Sequence, residues 1–198
     1  MIVKVCGLTN RGDTLAAVEY GASAIGLNFY RKSPRYVTPE RAGELASLAP
    51  KGVLRVGVFV NETAESMLRT ARAAGLDVVQ LHGDCEIPEG VRVWRAVSVG
   101  GGFDSGALER IPAEAVLLDA PAGDQYGGTG KTFDWSLVRE LPRKIILAGG
   151  LGPDNVAEAI RTVRPWGVDA CSRLESAPGK KDLKKMKAFL DRALEAAA

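Results

Sequence analysis

Histidine occurs once in this 198-residue chain, cysteine three times, and aromatic residues make up only 6%. One imidazole, His82, is too few for a metal centre built on several histidines. The cysteines, Cys6, Cys85 and Cys171, are odd in number and form neither a CxxC pair nor a zinc spacing, which points to a reducing cytoplasm. A net charge of +2 supplies no field to attract nucleic acid or a membrane surface, so any anionic partner has to be met by a local site. No apolar run approaches the ~20 residues of a membrane span. Met1-Ile2-Val3-Lys4-Val5-Cys6 reads as a strand and lacks the flank and cleavage site of a signal peptide. No low-complexity segment, linker or shift of composition divides the chain, and residues 1–198 read as a single domain.

What is present is a repeat of short Val-, Ile- and Leu-rich runs separated by helical patterns. Eight strands are predicted: Ile2–Val5, Ala24–Phe29, Leu54–Phe59, Asp77–Leu81, Arg92–Val97, Ala115–Leu118, Lys144–Ala148 and Gly167–Ala170. Continuous apolar runs of this length suit parallel strands buried on both faces. Helical stripes run through Ala64, Met67, Leu68, Ala71 and Ala74, through Val156, Ala159, Ile160 and Val163, and through Leu183, Met186, Leu190 and Leu194. Asp13, Thr38-Pro39 and Pro153-Asp154 mark helix starts, and Gly21 and Gly75 mark stops. Eight strands alternating with helices predict an α/β fold closed as a single (β/α)8 barrel. It is compact, with a shortened connection between strands four and five, where Asp84 to Gly90 leaves no room for a helix.

Active sites of such barrels lie at the carboxyl ends of the strands. That rule nominates Cys6-Gly7, Asn28, Phe59-Val60-Asn61, His82-Gly83, Asp119, Gly149-Gly150 and Cys171-Ser172-Arg173. Alternation turns Lys4 and Cys6 inward. At that rim a thiol reads equally as a small core residue or as a reactive group. Asp119 ends an apolar strand, where a carboxylate needs a partner or a task. Lys4 could form a Schiff base; an ion pair with inward Asp169, on the strand adjacent at closure, is the preferred reading. His82 either orients a substrate or is a satisfied rim histidine. The glycines of Leu147-Ala148-Gly149-Gly150-Leu151-Gly152, with Ser172 and Arg173 after strand eight, fit the recurrent phosphate grip of this fold; the alternative is a tight turn only. Gly127-Gly128-Thr129-Gly130-Lys131-Thr132 is not a nucleotide P-loop, because the required leading glycine falls on Gln125. The loop from Ala120 to Phe133 reads as a lid, and the lysines between Lys180 and Lys187 read as the solvated face of the last helix.

Taken in order, Lys4-Val5-Cys6-Gly7-Leu8-Thr9, Gly26-Leu27-Asn28-Phe29, Ser33-Pro34-Arg35-Tyr36-Val37 and Gly57-Val58-Phe59-Val60-Asn61 form one series of motifs. Val79-Gln80-Leu81-His82-Gly83, Leu118-Asp119-Ala120, Gly127 to Trp135, Leu147 to Leu151 and Gly167-Val168-Asp169 continue it. Their joint order and spacing resemble the phosphoribosylanthranilate isomerase family over nearly the whole chain. The resemblance implies an enzyme of tryptophan biosynthesis that performs an Amadori rearrangement, with Cys6 as general base and Asp119 as general acid. It implies a phosphorylated aminosugar as substrate, Arg35 at its anthranilate carboxylate, Asn28 and His82 in the substrate site, and Gly149, Gly150, Ser172 and Arg173 at its phosphate. It implies no cofactor and no metal. Strand eight departs from the family: Cys171-Ser172-Arg173-Leu174-Glu175 stands where Ser-Ser-Gly-Val-Glu is usual, so Arg173 either adds a charge contact or crowds the pocket. Related phosphosugar-barrel isomerases or epimerases and a non-catalytic phosphate-binding barrel are the alternatives. The former should show more inward histidines, acids or lysines, and the latter should have lost Cys6, Asp119 or Arg35. An arginine-rich chain with few Asn and Gln suggests a heat-adapted source and is compatible with a homodimer.

Overall fold

The computed structural model describes residues 1–121 and 132–198. Eight parallel strands close into a barrel in sequence order: β1 (Ile2–Val5), β2 (Ala24–Asn28), β3 (Leu54–Val60), β4 (Val78–His82), β5 (Arg92–Ser98), β6 (Ala115–Asp119), β7 (Ile145–Leu147) and β8 (Gly167–Ala170). All eight coincide with predicted runs, with ends differing by at most one residue. Closure is made by β1 and β8, whose register sets Lys4 beside Asp169 and Val5 beside Ala170.

Strand alternation sorts the core into two main layers. Ala24, Val56, Val78, Trp94, Ala115, Leu117, Ile146 and Ala148 fill the barrel interior. Val3, Val5, Ile25, Leu27, Val116, Leu118, Leu147 and Val168 point outward beneath the helices. Trp94 is wholly buried and meets Trp166 edge to face, with ring centroids 5.9 Å apart. That contact packs the amino-terminal end of the barrel and leaves the opposite end for chemistry.

The helical layer is thinner than the sequence predicts. Among the described residues there are five α-helices: α1 (Arg11–Glu19), α2 (Pro39–Ala46), α3 (Ala64–Ala74), α4 (Val156–Val163) and α5 (Leu183–Ala197). The predicted shortening between β4 and β5 extends further. After β5 comes only a 3-10 turn, Ser105–Arg110, and before β7 another, Trp135–Val138. Gly100 to Gly102 and Pro112 disfavour a longer helix in the first of these. The Arg143 guanidinium instead donates to the carbonyls of Leu108 (2.6 Å) and Ile111 (2.8 Å), satisfying groups a helix would have paired.

Caps account for several boundaries. Thr38 accepts from the Arg41 amide with Pro39 in the first turn, and Gly75 ends α3 in the left-handed conformation, both as predicted. Asp13 is not a cap. Asn10 caps α1, and Asp13, three residues on, accepts from the Asn10 amide and from the distant Lys181 backbone N–H (2.7 Å). Pro153-Asp154 precedes α4 as predicted; Asn155 occupies the cap position, and its side chain braces the preceding loop. On α5 the buried face is Met186, Phe189, Leu190 and Ala193, while Leu183 and Leu194 of the predicted stripe are exposed. Phe189, left out of the predicted stripe, joins that face and is wholly buried. A small hairpin, β9 (Glu175–Ala177) with β10 (Lys180–Lys181), lies between β8 and α5 and was not foreseen. The predicted lid from Ala120 to Phe133 and the glycine-rich motif ending at Thr132 lie almost entirely outside the described residues.

Candidate active site

Cys6 follows β1, its amide bonded to the Ala170 carbonyl at 2.9 Å, and is almost fully buried at the carboxyl mouth of the barrel. A Cβ on Gly26 of β2 would stand 2.7 Å from the Cys6 sulfur and 3.1 Å from Cε of Lys4. Only a residue without a side chain leaves room for both, and both crowd against the same point. The thiol is held down at about 7. The Cys171 thiol, which hydrogen-bonds it, contributes most; burial opposes, the Lys4 ammonium favours the thiolate, and the Asp169 carboxylate opposes.

Lys4 itself is wholly buried and bonded to Asp169 at 2.9 Å, the predicted ion pair. Burial works against its charge, yet Asp169 and then Cys6 more than compensate and hold it protonated above the usual lysine range. This rules it a fixed cation and not a Schiff-base amine, which has to lose its proton to react.

Asp119 closes β6. Its Oδ1 accepts from the Ala120 amide at 2.8 Å. Burial pushes its carboxyl up to about 6, the Asp169 charge pushes the same way, and the Ala120 amide and Lys4 partly offset them. Lys4 and Asp169 therefore bear on both Cys6 and Asp119, so one buried ion pair polarises two proton-carrying groups. Gly149, after β7, has φ +79, and a Cβ there would fall 2.6 Å from the Ala120 nitrogen and 3.0 Å from Asp119 Oδ1. The loop after β7 can approach the carboxyl only because this residue is glycine.

His82, the last residue of β4, shares a 2.8 Å contact between its Nε2 and the Gln80 amide nitrogen. Burial, then the charges of Lys4 and Arg95, push it down to about 4. The imidazole is neutral at physiological pH and faces the same polar interior. Asn28 is engaged locally: its Oδ1 accepts from the Tyr30 amide (2.8 Å), and its carbonyl accepts from Val37. These bonds shape the loop that carries Arg35.

The Arg35 guanidinium is clamped by Glu175, with Nε to Oε1 at 2.8 Å and Nη2 to Oε2 at 2.7 Å. The fork keeps Nη1 and one proton of Nη2 for another planar anion. Lys181 completes the cluster, wholly buried and 3.2 Å from Glu175 Oε1, with its ammonium also bonded to the Cys171 carbonyl at 3.1 Å. Lys181 is therefore no part of a solvated helix face. It belongs to β10, ahead of the Asp182 cap, and that cap was the signal that separated it from α5. Glu175 and Lys181 are site residues that sequence reasoning missed.

On the far rim, Gly149 and Gly150 both have positive φ, and Asn155 holds their loop by accepting from the Gly152 amide (2.8 Å) and donating to the Gly150 carbonyl (3.0 Å). Ser172 opens a 3-10 turn, Ser172–Leu174, after β8. Arg173 donates to both oxygens of Asp154 at 2.8 and 2.7 Å and to the Gly150 carbonyl at 3.2 Å. Its φ is not positive, so arginine fits here without left-handed strain.

The chain matches the family model described as "N-(5'phosphoribosyl)anthranilate (PRA) isomerase" over residues 3–192. It belongs to that family. An N-(5'-phosphoribosyl)anthranilate isomerase of Solibacter usitatus is 54% identical over 193 residues, with 96% of each chain covered. Among solved structures, monomers generated from the dimeric phosphoribosylanthranilate isomerase of Thermotoga maritima align with a TM-score of 0.86 at 43% identity, covering 98% of this chain and 100% of that one. A phosphoribosylanthranilate isomerase in complex with reduced 1-(o-carboxyphenylamino)-1-deoxyribulose 5-phosphate aligns at 0.85 and 42%, with the same coverage. Isomerase activity in tryptophan biosynthesis on a single (β/α)8 barrel follows from membership, and the alternative phosphosugar-barrel readings give way to it.

Proposed function

We propose that Asp119 is the general acid and Cys6 the general base of an Amadori rearrangement converting N-(5'-phosphoribosyl)anthranilate to 1-(2-carboxyphenylamino)-1-deoxyribulose 5-phosphate. The supporting observation is the pair of opposed environments around Lys4 and Asp169: a buried thiol held at about 7 and a buried carboxyl raised to about 6. Titratable groups held near working pH suit general acid and base catalysis.

Protonated Asp119 gives its proton to the furanose ring oxygen as the C1–O bond breaks and the anilino nitrogen pair forms a C1=N iminium. The iminium acidifies the C2 hydrogen. The Cys6 thiolate removes it, and its electron pair becomes the C1=C2 bond of an enolamine while the nitrogen is neutralised. Loss of the C2 hydroxyl proton and protonation at C1 give the ketone. Arg35 takes the anthranilate carboxylate on the donors that Glu175 leaves open. Gly149, Gly150 and Ser172 take the phosphate through backbone N–H groups, and Arg173 adds positive charge at that rim while held by Asp154. Neutral His82 and Asn28 line the substrate side.

The same reading takes residues 1–198 as one catalytic domain working in the cytoplasm without cofactor or metal. No helix among the described residues is long and apolar enough to cross a membrane. It extends to a homodimer, which the dimeric relative from Thermotoga maritima supports. The test is a fluorescence assay on freshly made phosphoribosylanthranilate with the intact protein, Cys6→Ser and Asp119→Asn. Each variant should lose about 10²–10⁴-fold in kcat. A Cys6→Ser protein turning over at the parental rate removes the thiol from the reaction.

A further inference from the structure

We propose that Cys6 and Cys171 form an oxidative modification site, a dithiol that hydrogen peroxide closes to a reversible disulfide across the β1–β8 seam. Both residues stand one position beyond the last register pair of the seam, Val5 beside Ala170, and the Cys6 amide is bonded to the Ala170 carbonyl. Neighbouring strands lie about 4.8 Å apart, within the roughly 4.4–6.8 Å between Cα atoms that a disulfide spans. Strand alternation turns both side chains inward: a Cβ on Gly26 would meet the Cys6 sulfur at 2.7 Å and one on Gly7 the Cys171 sulfur at 2.8 Å, and the neighbouring Cys171 thiol is the largest influence lowering Cys6. All three cysteines are free, and the third is not available to this pair: Cys85 sits after β4, bonded to the Glu62 amide and the His82 carbonyl.

The surroundings favour the thiolate at Cys6, whereas the Cys6 sulfur and burial hold the Cys171 thiol well above its ordinary value, so Cys171 enters as the thiol. The Lys4 ammonium acts on Cys6, the Lys181 ammonium lies 3.9 Å from the Cys171 sulfur, and the stem of Arg35 packs with that sulfur over Gly7. Asp169 and Glu175 oppose, the latter 4.0 Å from the Cys171 sulfur. Lys4, Lys181 and Arg35 thus bear on the two sulfurs against Asp169 and Glu175, and cations beside a thiol are the setting in which cysteines react with peroxide.

The Cys6 thiolate attacks one peroxide oxygen; an S–O bond forms, the O–O bond breaks, and the departing hydroxide takes a solvent proton to leave as water. The Cys171 sulfur then attacks the Cys6 sulfenic acid. An S–S bond forms, the S–O bond breaks, and hydroxide leaves as water with the Cys171 proton. Two thiols are oxidised by two electrons and one peroxide is reduced to two waters. The disulfide removes the thiolate from the barrel mouth. Its effect on turnover rests on Cys6 being the general base, whereas its formation does not.

The test treats the intact protein with a small excess of hydrogen peroxide, then alkylates and maps the peptides. A Cys6–Cys171 linked peptide is expected, with Cys85 alkylated, and activity should fall in proportion to the linked fraction and return with dithiothreitol. In Cys171→Ser, and in Cys171→Ala should the first fold poorly, dimedone should trap sulfenic acid on Cys6 and no linked peptide should form. Retention of all three thiols, a link to Cys85, or Cys6 sulfinic acid beside reduced Cys171 overturns the proposal. A linked protein with undiminished turnover supports the disulfide and sinks the general-base assignment instead.

Discussion

An acid held at about 6 and a base held at about 7 are protonated in the reverse of the order catalysis needs. The working form of the proposed reaction carries neutral Asp119 and ionised Cys6. Lowering pH protonates the thiolate and raising it ionises the acid. Midway, near pH 6.5, each group is in its required state about a quarter of the time, so about 6% of molecules are competent. The rate profile should therefore be a narrow bell, centred roughly at pH 6.5, falling tenfold per unit below about 6 and above about 7. Since the Cys171 hydrogen bond contributes most to the lowered Cys6 value, Cys171→Ala should raise it toward the ~8.5 of a free thiol. A one-unit rise spreads the limbs to about 6 and 8, moves the optimum to roughly 7, and cuts the competent fraction about sevenfold. The assay has two arms. Thiolate absorbance of the free protein titrates cysteine directly, where the substrate phosphate, itself ionising near 6, cannot intrude. The pH dependence of kcat then locates both limbs in the bound complex. A profile flat between pH 5.5 and 8, or a thiolate titration unmoved by Cys171→Ala, refutes the reasoning.

Three further outcomes follow from the same geometry. Lys4→Met leaves Asp169 as an unpaired, nearly buried carboxylate and should cost about 3–5 kcal/mol in urea unfolding. Asp169→Leu added to it should recover much of that stability, and full stability in the single variant defeats the ion-pair reading. Arg35→Ala should lower kcat/KM by about ten- to a hundredfold, the worth of one or two charged hydrogen bonds. Arg35→Lys should rescue little because it lacks the planar fork; equal efficiency in all three proteins removes Arg35 from the substrate. Gly149→Ala forces a Cβ to within 2.6 Å of the Ala120 nitrogen at φ +79. It should depress kcat more than it raises KM through displacement of Asp119, and a change confined to KM would assign Gly149 to binding alone.

The barrel was legible because its strands obey one rule over short distances. Buried on both faces, they read as apolar runs; alternation then turned Lys4, Cys6 and Asp169 inward, and Asp119 stood out as a carboxylate ending an apolar strand. The Lys4–Asp169 pair followed from closure alone, since β1 has to meet β8. The helical layer was less legible, because whether a connection becomes a helix depends on what else can satisfy its carbonyls. Arg143 does so for the segment ending at Ala113, thirty or more residues before it in the chain.

The Arg35–Glu175–Lys181 cluster was least legible. Arg35 and Glu175 are 140 residues apart, and nothing local to either announces the other. Lys181 looked like one of a run of surface lysines, and only the Asp182 cap placed it off the helix, in a hairpin whose register brings it beneath Glu175. That hairpin follows the strand where the chain departs from its family, and it carries the charge that faces Cys171. The lysine that neutralises Glu175 thus also helps set the environment of the thiol bonded to Cys6. The proposed anthranilate clamp and the proposed base are electrostatically joined through Glu175 and Cys171. A change at Lys181 should accordingly move both the binding of the substrate carboxylate and the titration of Cys6, which a purely structural lysine on a helix surface could not do.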